Sequence, residues 1–107
     1  MRHNQPNKCY PYTYYVVHKQ TGVAYYGVRT SNYTKLQISP LEDLGEHYFT
    51  SLGKHSLWFK EQFKTKPYLF YFKIHQTFDT VSEALAFEKL MVSRLRNKKR
   101  WLNKSCI

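Results

Sequence analysis

The 107-residue sequence is poor in long apolar runs, cysteine and acidic residues, and each shortage excludes a class of protein. No apolar run approaches the roughly 20 residues needed to span a bilayer. The polar start "MRHNQPNK" lacks the apolar segment of a signal peptide. We therefore expect a cytoplasmic protein with no membrane partner. Cys9 and Cys106 form no disulfide framework, and the five histidines show no Cys/His spacing typical of structural zinc.

Acidic residues are the most consequential shortage. Seven Asp and Glu stand against 17 Lys and Arg, which gives a formal charge of +10. Charge of this size repels itself in a compact fold, so it indicates an anionic partner. Nucleic acid is the first candidate. A membrane surface is the second, but the best amphipathic helix carries acids as well as bases.

The hydrophobic fraction of 42% and aromatic fraction of 18% exclude a chain that is disordered throughout. The length suits a single domain with one modest core. We predict an α+β fold with a small, mainly antiparallel three-stranded sheet flanked by helices. Residues 1–11 are predicted to be an irregular arm, and residues 12–107 to be the domain with a basic C-terminal tail. The first predicted element is a β-hairpin from "YTYYVVH" and "VAYYGVR", and a loop with a short helical turn follows over 30–45. A helix is predicted over 54–64, with Leu57, Trp58 and Phe63 available to the core. A strand over 68–75 and a helix from about Val81 to Arg96 complete the predicted elements.

The hairpin register brings two tyrosines together. A turn centred on "QT" pairs Tyr14 with Gly27 and Val16 with Tyr25. Tyr14 and Tyr25 then share a sheet face as diagonal neighbours, about 7–8 Å apart. Gly27 is expected to leave open space beside the Tyr14 ring. The alternative is a tyrosine-rich core face with no chemistry.

The last predicted helix carries an acid on its apolar stripe. The apolar members of the stripe are Val81, Ala84, Leu85, Val92 and Leu95, and Glu88 shares their spacing. An unpaired carboxylate facing a core costs several kcal/mol unless it is compensated. Glu88 could pair with a buried base, shift its pKa, or hold a divalent metal.

The order of these motifs resembles the GIY-YIG nuclease domain over residues 12 to 103. "YTY" (12–14) stands where the family has Gly-Ile-Tyr, and "YYG" (25–27) stands where it has Tyr-Ile-Gly. "YFTSLGK" (48–54) is similar to the "Y-x-[GT]-S-x-G-K" element of a phage-rich subgroup. "ALAFE" (84–88) matches the family's "A-x-x-x-E", and Leu102-Asn103 matches its late asparagine.

The resemblance implies a metal-dependent DNA endonuclease, similar to homing endonucleases and encoded by a phage or a mobile element. Glu88 would bind Mg²⁺ (or Mn²⁺), and Tyr14 or Tyr25 would position or deprotonate the attacking water. Arg29 would stabilise charge on the phosphate, and Asn103 would orient groups around the metal.

Two departures from the family leave assignments open. Tyr12 replaces the glycine of the first motif. Lys35 stands nearer than Arg29 to the usual place of the catalytic arginine, although we prefer Arg29 and add Lys54 as a phosphate contact. His47 and His55 could transfer protons or could be polar surface.

The tail "RLRNKKRW" is either a solvated charge run or a contact to nucleic-acid backbone. Its nucleic-acid-binding candidates are Arg94, Arg96, Lys98, Lys99 and Arg100. No separate module that reads base edges is recognisable, which implies low specificity, a homodimer, a specificity-providing partner protein, or a trimmed domain. RNA is a further candidate substrate. The rival functions are a catalytically inactive nucleic-acid-binding module and a small basic partner of a larger assembly.

Overall fold

The computed structural model describes residues 2–3, 9–44, 57–95, 98 and 101. Within these residues, four strands form one antiparallel sheet in the spatial order β1-β4-β2-β3. The strands are β1 (Arg2–His3), β2 (Tyr12–His18), β3 (Ala24–Arg29) and β4 (Phe70–Phe78), and the α-helices are α1 (Pro40–Asp43), α2 (Leu57–Thr65) and α3 (Val81–Leu95). The three long strands and their helices confirm the predicted α+β class.

The hairpin has the predicted register. Tyr14 lies opposite Gly27 and Val16 opposite Tyr25. The turn is closed by the His18 amide, which donates to the carbonyl of Val23 at 2.8 Å. Gly22 in this turn has a φ of 77°, a conformation that glycine adopts without a steric penalty.

Several boundaries differ from the sequence predictions, among them the start of β4, which is at Phe70 rather than at position 68 because Pro67–Leu69 form a 3-10 turn. Arg2–His3, expected to be irregular, pairs with Thr77 and Phe78 of β4. Strand β4 continues three residues beyond the predicted end at position 75, where it pairs with β2 as well as β1. A two-residue strand is too short to leave a periodic pattern in the sequence. Its pairing with the edge of β4 is therefore seen only in the folded structure.

The sheet has two differently covered faces. The core face carries Tyr12, Tyr14, Val16, Tyr25 and Phe70, and it packs against Phe63 of α2 and Leu44 after α1. The α3 face carries Thr13, Tyr15, Val17, Tyr26 and His75, which follow from strand alternation. Phe87 of α3 contacts the His75 ring at a centroid distance of 5.9 Å, which places the helix on that face.

Both long helices bury somewhat different residues from those expected. Phe63 packs edge-on against Phe70 and Phe72 as predicted, and Trp58 lies half-exposed against His18. Leu57 was expected to be available to the core, but it is 77% exposed.

In α3, Ala84, Glu88 and Val92 are buried, whereas Leu85 is exposed. The stripe follows rows of residues four apart, which tilts it away from Leu85. No helix among the described residues is long and apolar enough to cross a membrane.

Candidate functional site

The predicted catalytic residues that the structure describes lie on two sides of the sheet. Tyr14, Tyr25 and Arg29 occupy alternate, paired positions on the core face. Glu88 belongs to α3, whose aromatic and apolar side chains lie against the other face. The expectation that all four converge in one cleft is therefore wrong for Glu88. Strand alternation fixes the side of the tyrosines, but nothing in the hairpin fixes which side α3 covers.

The two tyrosines predicted to be catalytic are packed rings on the core face. Tyr14 is fully buried, and its ring centroid lies 6.4 Å from that of Tyr25. The space beside Gly27 is filled by Tyr14 itself, because a Cβ at Gly27 would lie 2.5 Å from the Tyr14 hydroxyl. The expected open space is thus absent, and the close approach explains why this position is a glycine. The catalytic roles of Tyr14 and Tyr25 stay predictions.

Arg29 is held by an acid that the sequence analysis did not single out. Its Nε donates to Asp43 Oδ2 at 2.9 Å, and Nη2 donates to Oδ1 at 3.4 Å. The Tyr12 hydroxyl donates to the same Oδ2 at 2.8 Å. Asp43 is completely buried, and the ion pair balances its negative charge with the positive charge of the Arg29 guanidinium. A phosphate would have to share Arg29 with this carboxylate.

Helix α1 places Asp43 by a local signal. Ser39 caps the helix, and its hydroxyl accepts from the Glu42 amide at 3.3 Å. Pro40 occupies the first helical turn, where its missing amide hydrogen costs nothing. This "S-P-x-E" start was detectable in the sequence. The inward direction of Asp43 was not.

Glu88 is the buried acid on the other face. It is 6% exposed, and burial raises the pKa of its carboxyl. The structure gives it no hydrogen bond or ion pair with any described residue, so the expected alternative of a buried salt bridge is not found there. Burial first, and then the charge of Glu88, raises the pKa of Tyr26 on the sheet face that α3 covers.

Tyr26 and His75 form a polar pair on the α3 face. The Tyr26 hydroxyl lies 2.8 Å from His75 Nδ1. Burial is the main cause that raises the pKa of Tyr26, and burial followed by the charge of Lys73 lowers the pKa of His75. Tyr26 therefore keeps its proton, and the tautomer of His75 sets which of the two groups donates in this hydrogen bond.

His75 owes its position to a β-bulge. Tyr14 pairs with Ile74 and Thr13 pairs with Gln76, so His75 is the extra residue of β4. Bulges commonly re-aim side chains beside functional sites. Neither Tyr26 nor His75 was among the residues predicted to carry chemistry. Alternation along β4 sets His75 on the sheet face opposite to that of Phe72 and Ile74, and this pattern was the sequence signal that could have identified His75.

The residues around Glu88 fit a magnesium ion only as a single-carboxylate site. No group of three or more His, Cys, Asp or Glu within the described ranges could hold a metal. Mg²⁺ nevertheless retains several waters and is often bound by one or two carboxylates together with substrate phosphates. A buried carboxylate that lacks a cationic neighbour within the described part of the chain has the charge and the ligand chemistry for such an ion.

The basic candidates are only partly described. Lys35 is exposed in a π-helical turn at Asn32–Leu36, whereas Arg94 and Lys98 are exposed at and after the end of α3. Lys98 bridges back to the helix through its amide, which donates to the Leu95 carbonyl at 2.9 Å. The remaining predicted site residues lie outside the described residues: His47, Lys54, His55, Arg96, Lys99, Arg100 and Asn103.

Neither a scan of protein-family models nor searches of curated proteins and of solved structures found a match to this chain. The resemblance to the GIY-YIG domain therefore stays a prediction from the motifs. Function has to be inferred from the side chains themselves.

Proposed function

We propose that this chain is a metal-dependent endonuclease that hydrolyses phosphodiester bonds in DNA, with its reacting centre on the α3 face. Glu88 carries the proposal: a buried carboxylate with a raised pKa and no cationic partner among the described residues. Such a group weakens the fold, and perturbed acids of this kind concentrate at functional sites. The formal charge of +10 supports a polyanionic substrate.

Each residue of the proposed centre has a definite task. Glu88 would hold Mg²⁺ or Mn²⁺, and a bound divalent ion supplies polarisation of the scissile phosphate. His75 donates a hydrogen bond from Nε2 to a phosphate oxygen, while Tyr26 fixes the orientation of the imidazole through Nδ1. Arg94 and Lys98 are exposed and can contact the nucleic-acid backbone.

A catalytically inactive nucleic-acid-binding module is the second candidate, and two observations favour it. Tyr14 and Tyr25 are buried on the face opposite Glu88, where they serve as core. Arg29 is already paired with Asp43. A protein with these features could keep the fold and the basic surface without cutting.

Nicking of supercoiled plasmid with Mg²⁺ tests the proposal. Wild type and Glu83→Gln should nick, because Glu83 is at the start of α3, where its carboxylate accepts from the Thr80 hydroxyl. Glu88→Gln keeps the size of the side chain and should abolish nicking, as should EDTA. Binding without nicking by any variant would favour the inactive module. The absence of both binding and nicking would favour a small basic partner of a larger assembly.

A further inference from the structure

A pocket of about 300 Å³ opens on the α3 face, beside the Tyr26–His75 pair. Its lining residues are Tyr15, Val17, Tyr26, His75, Met91, Leu95 and Trp101. The volume is at the lower end of the roughly 300–1,000 Å³ range of small-ligand pockets. It therefore suits one planar ring system better than a complete dinucleotide.

The lining is rich in aromatic rings, which contact one another at tilted and edge-on angles. The Tyr15 and His75 centroids are 6.2 Å apart, and those of Tyr26 and His75 are 5.4 Å apart. Trp101 closes the pocket from beyond α3, where its backbone bridges to Ala24 of β3. Aromatic walls favour a flat, polarisable ligand, because stacking gains energy from every ring face.

The rim of the pocket is basic. Lys73 is exposed on the α3 face, and its charge lowers the pKa of the lining residue His75. Lys98 is exposed between the lining residues Leu95 and Trp101, and its carbonyl accepts from the Trp101 amide at 3.2 Å. Arg94 is exposed next to Leu95. An apolar ring site inside a positive rim matches a base attached to a phosphate backbone.

We propose that this pocket binds one unpaired nucleobase of a single-stranded or locally opened nucleic acid, stacked among Tyr15, His75 and Trp101. The inference rests on the proposed function only in taking nucleic acid as the partner. It adds that the chain selects a splayed base on the same face as Glu88, rather than reading an intact duplex. Insertion of the base would hold the adjacent phosphate on that face.

The test measures binding in EDTA, so that cleavage does not interfere. A fluorescein-labelled thymidine oligonucleotide of about 12 residues is compared by anisotropy with an abasic strand that carries the same number of phosphates. Wild type should bind the thymidine strand about tenfold more tightly. Trp101→Leu should remove this preference while leaving affinity for the abasic strand unchanged. Tyr68→Leu is the matched control, since Tyr68 is an exposed aromatic residue outside the pocket and should keep the preference.

A second measurement covers the case in which Trp101→Leu fails to fold. The chain has two tryptophans, so Trp58→Phe leaves Trp101 as the sole reporter. Its fluorescence should be quenched by the thymidine strand and not by the abasic strand. Equal affinity of wild type for both strands, or an unchanged Trp101 signal with both, would overturn the proposal. A base preference in a protein that never nicks plasmid would refute the nuclease and retain the pocket.

Discussion

Gly27→Ala tests the packing of the hairpin most directly, because the structure shows what the added methyl group meets. A Cβ at Gly27 would lie 2.5 Å from the Tyr14 hydroxyl oxygen, 2.6 Å from Cζ and 2.9 Å from Cε1. Carbon contacts settle at about 3.5–4.0 Å, so the ring must move by about 1 Å. Tyr14 is fully buried between Tyr12 and Tyr25, and this movement disturbs both neighbours.

Overpacking of this kind costs about 1–3 kcal/mol of unfolding free energy. In a domain of this length, each kcal/mol lowers the melting temperature by roughly 4–8 °C. Urea denaturation and thermal circular dichroism of Gly27→Ala should both show the loss. Replacement of the ring relieves the clash, so Gly27→Ala should be neutral or slightly stabilising in a Tyr14→Leu background, where alanine suits a strand better than glycine.

Gly22→Ala is the control within the same hairpin. Nothing lies within 4 Å of its Cβ position, and its cost comes from a φ of 77° alone. That cost should be the same with Tyr14 or Leu at position 14, since the two sites share no contact. If Gly27→Ala is harmless in wild type, or costs as much without the Tyr14 ring as with it, the close packing described here is refuted.

Three further predictions concern the two polar clusters. Asp43→Ala should lower the unfolding free energy, measured by urea denaturation, by about 3–5 kcal/mol, because it leaves Arg29 without its carboxylate. The double variant Asp43→Ala with Arg29→Leu should recover part of that loss. A double variant with no recovery would contradict the pairing. Burial favours the protonated form of Glu88, so the pKa of its carboxyl is higher in the folded than in the unfolded protein. The stability that protonation contributes is complete below the unfolded-state pKa, and it is lost as pH rises through the raised pKa of the folded state. Glu88→Gln should therefore gain in unfolding free energy over wild type as pH rises from about 4 to 8, and a constant difference would contradict the burial effect. Tyr26→Phe should reduce plasmid nicking more than Tyr14→Phe does, because only Tyr26 shares a face with Glu88; the reverse order would place the chemistry on the core face.

The local part of the fold follows from the sequence because it depends on neighbours along the chain. Alternation and a glycine-containing turn were enough to predict the pairs Tyr14–Gly27 and Val16–Tyr25. Helical periodicity likewise placed Glu88 on the buried stripe of α3. Both patterns are set within one or two elements, so no knowledge of tertiary packing was needed.

The site was harder to predict because it depends on which face a helix covers. Periodicity shows that α3 buries one stripe, but it does not say whether the stripe meets Tyr25 or Tyr26. The bulge at His75 also has no signature in composition, since it arises from the offset between Thr13–Gln76 and Tyr14–Ile74. Asp43 escaped notice for a similar reason: its partner Arg29 is brought to it only by the folded loop.

The two acids show why opposite faces of one sheet call for different explanations. Asp43 receives three hydrogen-bond donor contacts, so stability alone accounts for its burial. Glu88 has no such compensation among the described residues, and a glutamine of the same size would remove the cost of burying its charge. Residues that break a packing rule without local compensation are expected at functional sites. The same face also carries the aromatic pocket and its basic rim. In the proposed function, a metal ion bound with a substrate phosphate would supply the positive charge that Glu88 does not find among the described residues.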